Sequence, residues 1–204
     1  MDWWRQNSDV LNLGLNGAML LVWVLYLQVF LSGFRRQRRA MIVIGMGAGT
    51  GLDARCLLSN MSEDSIYVVN LIARVKAGED GWDASFIDRH DLPGEEADRD
   101  PMRRTRQGPL GAGDYMDSGS FGDLLARAMP PGRDPEAVFA HTEGVLTVEV
   151  VALYAAEDLP VAARRRFRIR PAEDGPRLEP LDLRTGQVRS RRRRRRLARD
   201  GDRL

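Results

Sequence analysis

The chain is poor in the residues that most directly announce chemistry. Cys56 is its only cysteine, so no disulfide can form within it and the small, disulfide-stapled class is excluded. So little cysteine also fits a reducing compartment. His90 and His141 are the only histidines, too few for a histidine-rich metal site. Lys76 is the only lysine, so almost all positive charge sits on guanidiniums, a skew that points to a GC-rich bacterial genome. No serine lies in a G-x-S-x-G elbow. The sequence therefore offers no catalytic set, no metal set and no cofactor.

Charge is also missing locally. Residues 10–34 contain no Asp, Glu, Lys or Arg, and 35–39 then read Arg35-Arg36-Gln37-Arg38-Arg39. An uncharged run of roughly 20 residues can cross a bilayer as a helix. A lipid-facing helix must be apolar on every side and satisfy its own backbone, as 18–31 would. Trp3 and Trp4 precede the run and suit the interfacial belt, and Arg35, Arg36, Arg38 and Arg39 follow it. A signal peptide carries its positive charge before the apolar stretch and small residues at a cleavage site after it. Here the order is reversed, so the run reads as an uncleaved, single-pass anchor. Basic residues favour the cytoplasmic side, which puts the N-terminus outside and the remainder in the cytoplasm of a bacterial inner membrane. Asn12 and Asn16 share a helix face, and Asn16 and Gln28 lie deeper; all three are candidates for helix–helix contact.

The net charge of +2 conceals a polarity. Of 31 basic residues, four arginines lie in 35–39 and eight in 189–199, where no acid occurs; the rest of the chain holds 19 basic residues against 29 acidic ones. An acidic body is thus bracketed by two basic patches. The organisation reads as a short tail (1–9), a transmembrane helix (10–34), a basic juxtamembrane segment (35–40), a β-rich cytoplasmic domain (41–184) and an Arg-rich tail (185–204).

Within the domain, 41–44 is short and β-branched. Leu52, Ala54, Cys56 and Leu58 alternate with polar residues, as in a half-buried strand. Residues 65–75 form a longer apolar strand, and the turn-like 60–64 between these two predicts a hairpin. Weaker strand signal covers 84–87. The stretch 92–113 reads as a charged loop, Ser120 as the cap of a helix over 121–129, and 145–154 as the strongest strand. Strands at 161–170 and 178–183 complete the set. Many short strands with little helix predict a mainly β fold, an antiparallel immunoglobulin-like β-sandwich, with an open α+β sheet as the alternative.

Three motifs tempt a chemical reading. The glycines from Gly45 to Gly51 follow a strand, but their spacing misses G-x-G-x-x-G and no helix follows. Asp114, Asp117 and Asp123 miss the EF-hand spacing and read as solvated carboxylates. Cys56 falls on an apolar face and reads as a buried thiol.

The second conspicuous feature is the tail: Arg189, then Arg191, Arg192, Arg193, Arg194, Arg195 and Arg196, then Arg199. It can bind anionic lipid or fold onto the acidic body. It carries no aromatic residue for base stacking, which disfavours nucleic acid.

The stretch Gly51-Leu52-Asp53-Ala54-Arg55-Cys56-Leu57-Leu58-Ser59-Asn60-Met61-Ser62, with Ile66-Tyr67-Val68 after it and the anchor before it, resembles uncharacterised bacterial single-span membrane proteins. The resemblance implies no activity and no functional residue. The expectation is a membrane-anchored, non-enzymatic accessory or scaffold protein whose domain binds a protein partner or a larger membrane complex. The alternatives are an electrostatic lipid or nucleic-acid binder acting through the Arg tail, and an enzyme with a pocket near Gly45–Gly51, His90 or Cys56.

Overall fold

The computed structural model describes residues 8–37, 40–86 and 107–201. The chain divides into two units, Met1–Arg39 and Ala40–Leu204. Trp3, Trp4, Arg38, Arg39 and His90 lie outside the described residues.

The first unit is one helix, α1 (Ser8–Gln37). Its 21-residue stretch Asn12–Ser32 is long and apolar enough to cross a membrane. Every side chain in that stretch is exposed, and the apolar residues cover all sides. A helix of a soluble protein normally reserves one stripe for its core and leaves the other polar. The Ser32 hydroxyl donates to the Val29 carbonyl (2.9 Å), so this polar group is satisfied within the helix itself.

The second unit is mainly β, and every strand pairing is antiparallel. In chain order its elements are β1 (Ile42–Met46), β2 (Arg55–Asn60), β3 (Ile66–Ala77), β4 (Asp80–Phe86), β5 (Gly108–Leu110), β6 (Tyr115–Ser120), α2 (Phe121–Ala128), α3 (Pro135–Phe139), β7 (Gly144–Tyr154), β8 (Val161–Arg170), β9 (Arg177–Pro180), β10 (Gly186–Gln187) and α4 (Arg191–Gly201). One sheet runs β1-β2-β6. The other runs β10-β8-β7-β3-β4, with β5 on β3 and β9 on β8.

Alternation in the sequence decides which side of the large sheet is dry. Leu71, Ala73 and Val75 of β3, Leu146, Val148 and Val150 of β7, and Phe167 and Ile169 of β8 all point into the core. Ile42, Ile44, Cys56 and Leu58 enter the same core from the small sheet. Helix α2 adds Phe121, Leu124 and Leu125, and the Phe121 and Phe167 rings meet at 4.7 Å. Each fully buried Val, Leu, Ile or Phe among them contributes about 1.5–3 kcal/mol.

Strand β1 is an edge whose free backbone groups find side chains instead of a further strand. The Ile44 N–H donates to Thr185 Oγ1 (2.9 Å), and Gln187 Nε2 donates to the Ile42 carbonyl (2.6 Å). Arg165 Nη1 donates to the Ile44 carbonyl (2.6 Å). These contacts occupy groups that would otherwise template pairing with another chain.

Ser120 caps α2 as its sequence predicts. The Asp123 N–H donates to Ser120 Oγ (3.0 Å), and the Ser120 N–H donates back to Asp123 Oδ2 (3.2 Å). Such a reciprocal cap is worth about 1 kcal/mol.

The stretch 92–113 is not all loop, since Gly108–Leu110 forms β5 on β3, while 92–106 lie outside the described residues; two further expectations need correction. Residues 60–64 do not join a hairpin: β2 pairs with β1 and β6, while β3 pairs with β4, β5 and β7. The cause is Asn60, which is fully buried. Its Nδ2 donates to the carbonyls of Asp64, Leu110 and Gly111, and its Oδ1 accepts from the Ser62 N–H. This network holds the chain as it passes from one sheet to the other. Second, β2 begins only at Arg55; Leu52 and Ala54 are buried from a turn. Helices α3 and α4 were not expected. Asp134 caps α3, with Pro135 in its first turn.

Candidate anion-binding face

The site begins with an anomaly in the most apolar strand. Glu149 sits in the middle of β7 and is fully buried. A carboxylate removed from water costs several kcal/mol unless cations and hydrogen bonds compensate it. Two guanidiniums do so. Arg74 Nη1 donates to Glu149 Oε2 at 2.6 Å, and Arg193 Nη2 donates to Oε1 at 3.1 Å and to Oε2 at 3.0 Å.

The register explains the first pairing. Glu149 stands opposite Ile72 on β3, and Arg74 lies two residues further along, on the same face. Diagonal neighbours of that kind fall within reach of a long side chain. The second pairing comes from α4, which brings Arg193 over the outer face of the large sheet.

Helix α4 would not persist by itself. It is 11 residues long, near the lower limit for an isolated helix. Arg191/Arg195 and Arg192/Arg196 place like charges four residues apart, and the first turn holds cations where the helix dipole favours anions. Contacts with the domain hold it. Besides Arg193, Arg194 pairs with Glu157 (2.6 Å), and its guanidinium donates to the carbonyls of Leu159 and Pro160. Arg194 is accordingly only 12% exposed in its side chain.

The helical period then sorts the arginines. Arg193, Arg194, Leu197 and Ala198 are half-buried on the inner side, while Arg191, Arg192, Arg195, Arg196 and Arg199 are exposed. None of those five has an acidic or hydrogen-bonding side-chain partner among the described residues, and neither does the exposed Arg189. Arg164, opposite Glu149 on β8, adds another exposed cation to the same sheet face. Arg166, further along β8, is neutralised by Asp182 in a bidentate pair (3.0 and 2.7 Å). The hydrogen bond from Arg166 holds the Asp182 carboxyl below the usual carboxylate range. Between α4 and the sheet an open groove of about 490 Å³ is lined by Arg74, Ser190, Arg192, Arg193, Arg196 and Leu197.

The sequence-derived candidates fall into three groups. Among the tail residues, the structure brings Arg192, Arg193 and Arg196 together, pins Arg194 to the domain, and leaves Arg189, Arg191, Arg195 and Arg199 exposed. In α1, Asn12, Asn16 and Gln28 are exposed, and Arg35 and Arg36 fall in the last turn. The chemical motifs resolve into structural roles. The glycine segment closes the β1–β2 connection, where the Gly47 N–H donates to Arg55. Asp117 pairs with Arg55 (2.8 Å), Asp123 caps α2, and Cys56 is buried in β2. His141 is exposed in a turn. Among the described residues no group of three or more His, Cys, Asp and Glu could hold a metal ion.

Arg74 and Glu149 were not singled out from the sequence. The available signal was one carboxylate within Val145-Leu-Thr-Val-Glu149-Val-Val, an acid that a buried strand tolerates only with cations beside it. Comparison with protein families, curated proteins and solved structures finds no match for this chain, so the reading rests on the geometry alone.

Proposed function

We propose that this protein is a single-span, non-enzymatic membrane anchor whose β-rich domain engages a negatively charged partner through the arginine face of α4 and the large sheet. One observation carries the reading. The domain fixes α4 in place with Arg193 and Arg194 yet leaves Arg191, Arg192, Arg195, Arg196 and Arg199 exposed, with no acid pairing them among the described residues. A folded array of this kind is pre-organised, so binding forfeits less side-chain and backbone freedom than a disordered tail would.

Finer features belong to the same proposal. The basic residues after the apolar run support an N-terminus outside and a cytoplasmic domain at a bacterial inner membrane. Two antiparallel sheets sharing one core support a β-sandwich, and the passage of the chain between sheets at 60–64 is compatible with an immunoglobulin-like one. For a chain already tethered by α1, an anionic bilayer surface is the most economical partner. Each arginine held near such a surface contributes about 1 kcal/mol.

The accessory or scaffold reading, with a protein partner, also has an observation in its favour. Tyr67 and Leu153 are register partners on β3 and β7, both exposed, and Leu153 shares the face of Glu149. Apolar area beside arginines is common at protein interfaces.

The test uses the full chain in phosphatidylcholine nanodiscs, mixed with vesicles containing phosphatidylglycerol. Retention should fall steeply as salt rises and disappear when 189–204 is deleted. Salt-independent retention, or retention unchanged by the deletion, rejects the proposal. Co-purification of a stoichiometric protein from mild detergent, with no vesicle retention, favours the scaffold reading.

A further inference from the structure

We infer that the groove between α4 and β3 is a defined binding site for a phosphate group, and not merely the most concave part of a basic surface. The inference rests on the anion-binding reading above and narrows it to a place and a ligand chemistry.

The lining is nearly all guanidinium. Arg74, Arg192, Arg193 and Arg196 line a space of about 490 Å³ together with Ser190 and Leu197. Among the described residues Glu149 is the one acid in contact with this group, and it lies beneath the groove with both oxygens already engaged. The lining therefore keeps net positive charge. Glu149 acts here as a positioning residue. It holds Arg74 through Nη1 and Arg193 through Nη2, and a guanidinium has five N–H donors. The remaining donors of both stay available, and their side chains are 42% and 39% exposed. Two oriented forks thus stand beside two cations, Arg192 and Arg196, that have no side-chain partner among the described residues.

The ligand class follows from this donor set. A planar guanidinium matches the paired oxygens of a phosphate by two parallel hydrogen bonds. A tetrahedral phosphate can present oxygens to several such forks at once, whereas a carboxylate has two oxygens and satisfies fewer. Ser190, at the groove's edge, carries a hydroxyl of the sort phosphate sites commonly use. Leu197 offers a short apolar wall, which suits the glycerol side of a phosphate ester. The shared chemistry is a phosphate ester, from either a lipid headgroup or a soluble compound.

The experiment compares two charge-matched pairs in the full chain held in phosphatidylcholine nanodiscs. Arg192→Gln with Arg196→Gln removes two cations from the groove. Arg195→Gln with Arg199→Gln removes two cations from the same helix outside it. Binding is measured by calorimetry with glycerol 3-phosphate and by co-sedimentation with phosphatidylglycerol vesicles. Circular dichroism and α4 amide exchange check that both variants stay folded, as expected where neither pair has a side-chain partner among the described residues. The groove site predicts that the first pair weakens binding by about 10- to 100-fold, and the second by less than about threefold. The arm in which this difference appears identifies the source of the phosphate. Equal losses for the two pairs would overturn the groove site while leaving the arginine face as the binding surface. No binding by the unmodified chain in either arm would overturn both.

Discussion

Replacing Glu149 by Gln is the most informative single change the structure offers. The side chain keeps its volume, so packing within β7 is undisturbed. What changes is the charge under two guanidiniums and three donor–acceptor contacts of 2.6, 3.0 and 3.1 Å. A hydrogen bond to a charged group is worth about 1.5–3 kcal/mol, and one to a neutral amide about half of that. The amide oxygen can still serve one arginine, while its NH₂ faces the other and repels it. Both arginines are about 40% exposed, so water recovers part of the loss and the full figure must be discounted. The net weakening of α4 docking comes to about 1–2 kcal/mol, a factor of about 5 to 30 in its local opening equilibrium. Amide hydrogen exchange on the full chain reads this directly. Residues 192–199 should exchange faster by that factor, while the interior of β7 and β8 keeps its protection. Unchanged exchange in α4 would show that Glu149 does not hold the helix. Equal acceleration in β7 and β8 would show that Glu149 supports the whole domain rather than the helix.

Other parts of the account are open to equally simple checks. A Cβ at Gly144 would stand 2.4 Å from a Phe139 ring carbon and 2.8 Å from the Lys76 carbonyl, so Gly144→Ala should lower the domain's unfolding free energy by about 1–3 kcal/mol in denaturant titrations. Ser120→Ala removes one half of the α2 cap and should cost about 1 kcal/mol in the same assay. The Asp182 carboxyl has a lowered pKa in the folded state, so its pairing with Arg166 stabilises the protein above the ordinary carboxylate pKa and is lost as pH falls through the folded value; Asp182→Asn should reduce stability at neutral pH and flatten its acid dependence. Val24→Arg places a charge in the middle of the apolar stretch at about 2.5–3.5 kcal/mol and should raise the fraction extracted by alkaline carbonate.

Much of the framework was legible because it depends on short-range pattern. The long apolar helix α1 is visible in the absence of charge from 10 to 34, and β7 in the apolar run 145–154. The α2 cap is visible in Ser120 and Asp123, three residues apart. Strand partners were less accessible. A turn-like 60–64 between two strands resembles a hairpin locally, and only the long-range bonds of Asn60 to Leu110 and Gly111 send the chain elsewhere. Helix α4 was hidden for a related reason. Arginine favours a helix by intrinsic propensity, but six in a row place like charges four residues apart and cations in the first turn, and the groups that offset this, Glu149 and Glu157, lie roughly 40 residues away in sequence. The candidate site shares that property. Its arginines in 192–196 were evident, but Arg74 joins them only through the register of β3 on β7.

The most direct test concerns the exposed arginines alone. Arg191, Arg192, Arg195, Arg196 and Arg199 are all changed to Gln, leaving Arg193 and Arg194 to hold α4. The full chain is reconstituted in phosphatidylcholine nanodiscs, and retention of phosphatidylglycerol vesicles is measured across a salt series. The account predicts tight, strongly salt-dependent retention by the unmodified chain and almost none by the variant, with α4 still protected from exchange. Retention of equal strength and equal salt dependence in the variant would contradict the claim that this face is the working surface.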